Sequence, residues 1–205
     1  VTPVYKLSAS SIRGRTNYGS MLAGNEGYIP TDYQSIQTAR VLSGTQSTIS
    51  FTSIPSNFQH LQIRGFAQCN RATFGTDDLN IRFNGDTGSN YAYHRLFGNG
   101  ATPEAGAAAS QTFMQVLSGS GTGNGNTFGV SIIDILDYAN TNKNKTMRTL
   151  SGDDLNGTVA GFPGYVVLSS GLWQSTSAVT SISIIINTGA SFTAGTHFAL
   201  YGIRG

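Results

Sequence analysis

Apolar and polar positions alternate in several stretches of this chain. In the stretch Leu79 to Gly100, Leu79, Ile81 and Phe83 point one way, and Asn80 and Arg82 the other. A period of two is that of a half-buried strand. Asn84, Gly85, Asp86, Thr87, Gly88, Ser89 and Asn90 follow, all turn formers. Asn and Asp tolerate left-handed backbone and bond their own main chain. A second alternating run, Tyr91 to Phe97, ends at Gly98, Asn99 and Gly100. Strand, polar loop and strand predict a β-hairpin.

The same reading predicts strands at Ile36–Leu42 and Thr48–Ile54, joined by a short hairpin turn at Gly44–Gln46. Pro55 ends the second, because proline cannot donate to a ladder. His60–Cys69 is the next strand, with Leu61, Ile63 and Ala67 inward. Ala101–Ser110 is alanine-rich but carries Pro103 and Gly106 and lacks an apolar stripe, so it predicts one helical turn at most. Phe113–Leu117 reads as a strand and Ser118–Asn126 as a loop. Thr127–Tyr138 is the longest apolar run and predicts a central strand. Ala139–Lys145 reads as a polar loop. Thr146–Leu150, Tyr165–Ser169, Leu172–Trp173, Ser181–Asn187 and His197–Ile203 complete the set. Many short strands between turn signals predict an all-β fold, a jelly-roll-like antiparallel sandwich over residues 34–205. No period of 20–50 residues marks a repeat protein.

Val1–Tyr33 has no period of either kind. It carries four tyrosines and several glycines, too aromatic for a solvated tail. It reads as an extended N-terminal arm that orders against a partner subunit or against its own domain. Tyr5, Arg13, Arg15, Tyr18 and Tyr28 are its candidate attachment residues. Tyrosine is a rigid amphipathic anchor, and arginine forks onto carboxylates or carbonyls.

Composition narrows the function. Of 205 residues, 11% are charged and 39% hydrophobic, with 26 glycines and a net charge of +2. Ordinary globular chains are about 25% charged. Such a surface suits a chain that packs on other subunits. The cations are scattered singly, which argues against nucleic acid. No apolar run approaches the roughly 20 residues of a membrane helix. Val1–Ser11 lacks a signal-peptide core, so a soluble protein made in the cytoplasm is the expectation. A single cysteine, Cys69, permits no intramolecular disulfide.

The search for chemistry yields little. His60, His94 and His197 have no neighbouring acid or nucleophile in sequence. Asp134 and Asp137, placed on one strand, would face opposite sides. Asp77–Asp78 and Asp153–Asp154 read as turn residues. No catalytic set, metal site or cofactor is predicted. The Asn84–Asn90 loop offers oxygens but lacks the charge and bidentate Glu of a calcium loop. Trp173, with Tyr91, Tyr93 and Arg95, is the candidate glycan contact. Its residues serve either as a stacking platform or as core packing.

FNGDTGSNYAYHRLFGNG (Phe83–Gly100) resembles a hairpin of small tailed-phage virion proteins. ISFTSIPSNFQHLQIRG (Ile49–Gly65), IIDILDYANTNKNKTMRTLSG (Ile132–Gly152), FALYGIRG (Phe198–Gly205) and IRGRTNYGSMLAGN (Ile12–Asn25) resemble the same family. The resemblance implies a non-enzymatic structural protein on the virion surface, a capsid decoration or fibre protein or a tail-fibre component. Its partners would be other virion proteins and itself, as a homotrimer. The alternative is an adhesion module for a host surface glycan.

Overall fold

The computed structural model describes residues 32–72, 74–121, 125–159 and 162–205. The candidate arm residues Tyr5, Arg13, Arg15, Tyr18 and Tyr28 lie outside them. Tyr33, counted above with the arm, opens the first strand. The described residues contain no helix and fourteen strands. In chain order these are β1 (Tyr33–Arg40), β2 (Thr45–Gln46), β3 (Thr48–Phe51), β4 (His60–Cys69), β5 (Thr76–Phe83), β6 (Tyr91–Gly98) and β7 (Pro103–Gln111). Then come β8 (Met114–Gly121), β9 (Gly129–Leu136), β10 (Lys145–Val159), β11 (Phe162–Trp173), β12 (Ile182–Ile186), β13 (Phe192–Thr193) and β14 (His197–Ile203). The all-β class read from the sequence is the class of the fold.

The strands form two faces of a sandwich. Sheet A runs β1-β14-β4-β9-β10-β11-β6-β7, antiparallel throughout. Sheet B runs β3-β12-β5-β8. β4 belongs to both. His60–Ala67 pairs with β14 and β9, while Gln68 and Cys69 run parallel to the end of β8. β13 extends that corner, pairing with Cys69 and with β2.

Alternation supplies the core. Leu61 and Ile63 of β4, Ile133 and Ile135 of β9, and Phe198 and Leu200 of β14 leave sheet A fully buried. Ile49 and Phe51, Ile182 and Ile184, Leu79, Ile81 and Phe83, and Met114 and Val116 meet them from sheet B. Burying one such side chain is worth about 1.5–3 kcal/mol. Glycines on the inner face of sheet A make room for large neighbours. A Cβ on Gly171 would lie 2.6 Å from the Met114 sulfur, and one on Gly202 would enter the Phe58 ring.

Both predicted hairpins are corrected by the pairing. β5 lies in sheet B and β6 in sheet A, so the Asn84–Asn90 loop crosses between sheets. β1 and β3 are likewise in different sheets. Turn residues signal reversal of the chain but do not say which neighbour the next strand joins. Ala101–Ser110 is no helical turn: it holds most of the edge strand β7, with Pro103 at its first position, where a missing donor costs no ladder bond. Thr146–Leu150 is only part of the 15-residue β10, and Tyr165–Ser169 and Leu172–Trp173 are one strand, β11. These two strands pair from Lys145↔Trp173 to Asp154↔Gly164, which holds polar residues extended. β8 also continues to Gly121, beyond the predicted end at Leu117.

Candidate interaction surface

Sheet A has two faces with unusual loads. Its inner face becomes polar toward β10 and β11, where Thr149, Ser151, Asp153 and Ser169 are all buried. Its outer face is apolar. Phe66, Leu96, Val130, Ile132, Leu136, Leu150, Val166 and Leu168 are 38–68% exposed. Their alternation is as regular as that of the core residues, but this half of the pattern faces out.

The registers place all of these residues except Leu136 in two adjacent rows. One row reads Arg64, Ile132, Leu150, Leu168, Leu96 and Ala105 across β4, β9, β10, β11, β6 and β7. The next reads Phe66, Val130, Gly152, Val166, Gly98 and Pro103. A shallow groove of about 550 Å³ runs over Phe66, Val130, Ile132, Leu150 and Val166. Gly152 is held small by its neighbours, since a Cβ there would lie 2.7 Å from the Tyr165 carbonyl oxygen. Typical monomers expose apolar patches of about 300–600 Å² at most. Seven side chains that are about half exposed in two adjacent rows put this face at about 600 Å², the top of that range.

The margin toward β1 is polar and ordered by hydrogen bonds. Gln62 Nε2 donates to Asp134 Oδ1 at 2.7 Å, and Tyr33 Oη and Arg64 Nε both donate to Gln62 Oε1 at 2.8 Å. Tyr33 stacks on Tyr201 with ring centroids 4.7 Å apart. An apolar centre with a polar margin is the anatomy of a protein interface.

The candidate glycan contacts sit elsewhere. Trp173 is 3% exposed and Tyr91 fully buried, and the two rings stack at 6.3 Å. Trp173 Nε1 donates to Asp86 Oδ2 at 2.7 Å, and Tyr91 Oη accepts from the Phe83 amide at 3.1 Å. The Trp173 bond, with a second from Asn90, holds the Asp86 carboxyl below its ordinary pKa. Burial pushes the Tyr91 phenol up to about 12. The alternation places Tyr93 and Arg95 with Tyr91 on the inner face of sheet A. Arg95 reaches the edge of β8, where Nη1 donates to Gln115 Oε1 at 2.9 Å and lies 3.6 Å from Asp78 Oδ2. Gln115 in turn donates to Asp78. The proposed stacking platform is therefore core, because β11 turns the Trp173 indole inward against Phe83 and Tyr91.

The histidines are spread apart. The Asp137 amide donates to His60 Nδ1 at 3.0 Å, and Asp137, at φ 48°, lies past the end of β9 rather than on it. Burial lowers the pKa of His197. His94 faces Ser170 across β6 and β11, but Asp134 in that row is three strands away, about 14 Å. Among the described residues no group of three or more His, Cys, Asp or Glu side chains could hold a metal ion. Of the residues considered for calcium, Asp86 has both carboxylate oxygens engaged, by the Trp173 indole and Asn90 amide on one and the Gly88 amide on the other.

Two features escaped the sequence reading. Lys145, taken as the end of a loop, is fully buried, and its ammonium donates to the carbonyls of Asn140, Lys143 and Thr176 at 2.6–3.0 Å. The outer rows of sheet A were also missed. Ile132 and Val130 were visible as apolar, but a continuous run does not say which of its two faces is covered. Comparison with known proteins finds no matching family model, no similar curated protein and no similar solved structure.

Proposed function

We propose that this chain is a structural protein of a bacteriophage virion, displayed on the particle surface, that works by packing its broad sheet face rather than by catalysis. The observation that carries the reading is the exposed apolar face of sheet A on a chain with few charges. The resemblance to small tailed-phage virion proteins supplies the setting. Strand order supports it as well. Set β6, β7, β10, β11 and the two short strands aside, and eight strands remain in chain order. Their sheets are then first-eighth-third-sixth and second-seventh-fourth-fifth. That order supports reading these eight strands as a jelly roll, an architecture shared by viral capsid domains. The added β10–β11 and β6–β7 hairpins widen one sheet and carry much of the apolar face.

Fold alone does not decide function, so the test is location. Antibodies raised against the chain should label intact particles of the phage that encodes it, and mass spectrometry of purified particles should find the chain. Unlabelled particles that lack it by mass would overturn the proposal. The adhesive alternative has lost Trp173 as its platform, and no other feature of the described residues favours it.

A further inference from the structure

We infer that the outer face of sheet A is covered by a second copy of this chain, packed face to face about a two-fold axis that lies in the plane of the sheet and crosses its strands. The axis passes over one row of inward residues: Gly65, Ser131, Ser151, Val167 and Phe97. These are mutual register partners on β4, β9, β10, β11 and β6.

The face complements itself under this operation. The rotation lays each strand antiparallel over its own copy. The two outward rows on either side of the axis then exchange. Leu150 of one copy meets Gly152 of the other, and Leu96 meets Gly98. Leu168 meets Val166, and Ile132 meets Val130. Arg64 meets the Phe66 ring, a cation–π arrangement. At two of these five pairs a leucine stands over a glycine, the large-over-small fit that sheets packed about 10 Å apart favour. The charges agree. On β10 the outward residues run Thr146, Arg148, Leu150, Gly152 and Asp154, and both Arg148 and Asp154 are exposed. Each lies about 10 Å from the axis along the strand. The rotation puts Arg148 opposite the partner's Asp154, twice. A two-fold axis parallel to the strands and over β10 would instead set Arg148 against Arg148 and Leu150 against Leu150.

A standard interface buries about 800 Å² per partner, of which the seven apolar side chains of the two rows supply the greater part. A self-complementary face closes in pairs, so this contact is two-fold rather than the three-fold association that the sequence resemblance implies. The inference rests on reading the chain as an assembly protein, but its test is made in solution without particles, so either can fail alone.

The test is sedimentation equilibrium of the full chain and its variants, with thermal melts to confirm folding. The wild type should form a two-chain species at micromolar concentration. Leu150→Asp and, separately, Leu168→Thr change exposed positions. Each should weaken association by about tenfold or more with the melt of the monomer unchanged. Arg148→Asp alone and Asp154→Arg alone should each weaken it, and the double variant should recover it, because the pairs are reciprocal. Three results would overturn the inference. They are a wild-type monomer at about 100 µM, well above the Kd of a standard interface, association that survives both apolar substitutions, and a double charge reversal that recovers nothing. The first would mean that residues 1–31 or another protein takes this face.

Discussion

Asp153 is the residue whose environment most contradicts its chemistry. Its side chain is 6% exposed on the inner face of sheet A. Oδ1 accepts the Tyr165 amide at 3.1 Å, and Oδ2 has no hydrogen-bond partner. Burial raises its pKa to about 7. A carboxyl raised in the folded state binds its proton more tightly there than when unfolded. Its stabilising contribution is therefore complete below about pH 4 and is lost as pH rises through about 7. Asp78, raised to about 6 by burial, acts in the same direction. Asp153→Asn keeps the bond from Tyr165 and cannot ionise. In urea denaturation the variant should match the wild type near pH 3 and exceed it by a margin that grows with pH to about 4 kcal/mol at pH 8. Equal stability at both pH values would show that the carboxylate is solvated.

At the scale of elements, the β5–β6 connection is the most informative. Asn84 sits at φ 52°, left-handed backbone that Asn tolerates. Its Nδ2 donates to the Ala178 carbonyl at 2.8 Å, and its Oδ1 accepts the amides of Thr180 and Ser181 at 2.8 and 3.1 Å. One side chain therefore ties the crossing loop to the segment that enters β12. Asn84→Ala loses both the bonds and the backbone tolerance and should cost about 2–3 kcal/mol. Asn84→Gly keeps the backbone and should cost less. The order of the two in denaturant midpoints is the measurement. If Ala proves no worse than Gly, the left-handed backbone contributes little.

For the whole molecule, the two sheets share β4 and one continuous core. Neither sheet can bury its apolar face without the other. Unfolding should then be one transition. Trp173 fluorescence reports the β6–β11 end of the core, and far-UV circular dichroism reports all strands. Their midpoints should coincide. A fluorescence change that precedes the loss of strand signal would mean that the widened end of sheet A opens separately.

What the sequence by itself determined was local. Strand positions with strict alternation, such as Thr48–Phe51 and Leu79–Phe83, follow from their residues alone, because period two leaves one apolar face to bury. The all-β class follows from the number of such runs. Strand partners were beyond it, since a turn sequence such as Asn84–Asn90 serves a hairpin and a sheet-to-sheet crossing equally well. Segments such as Pro103–Gln111 and Ser151–Asp154 lack apolar alternation and are extended only because a neighbouring strand pairs with them. The site divided in the same way. Trp173 could be named from the sequence, but only β11, packed against Phe83 and Tyr91, turned it inward. The apolar outer rows of sheet A required five strands to lie side by side in register. No single strand contains that surface, so only the tertiary structure could assemble it.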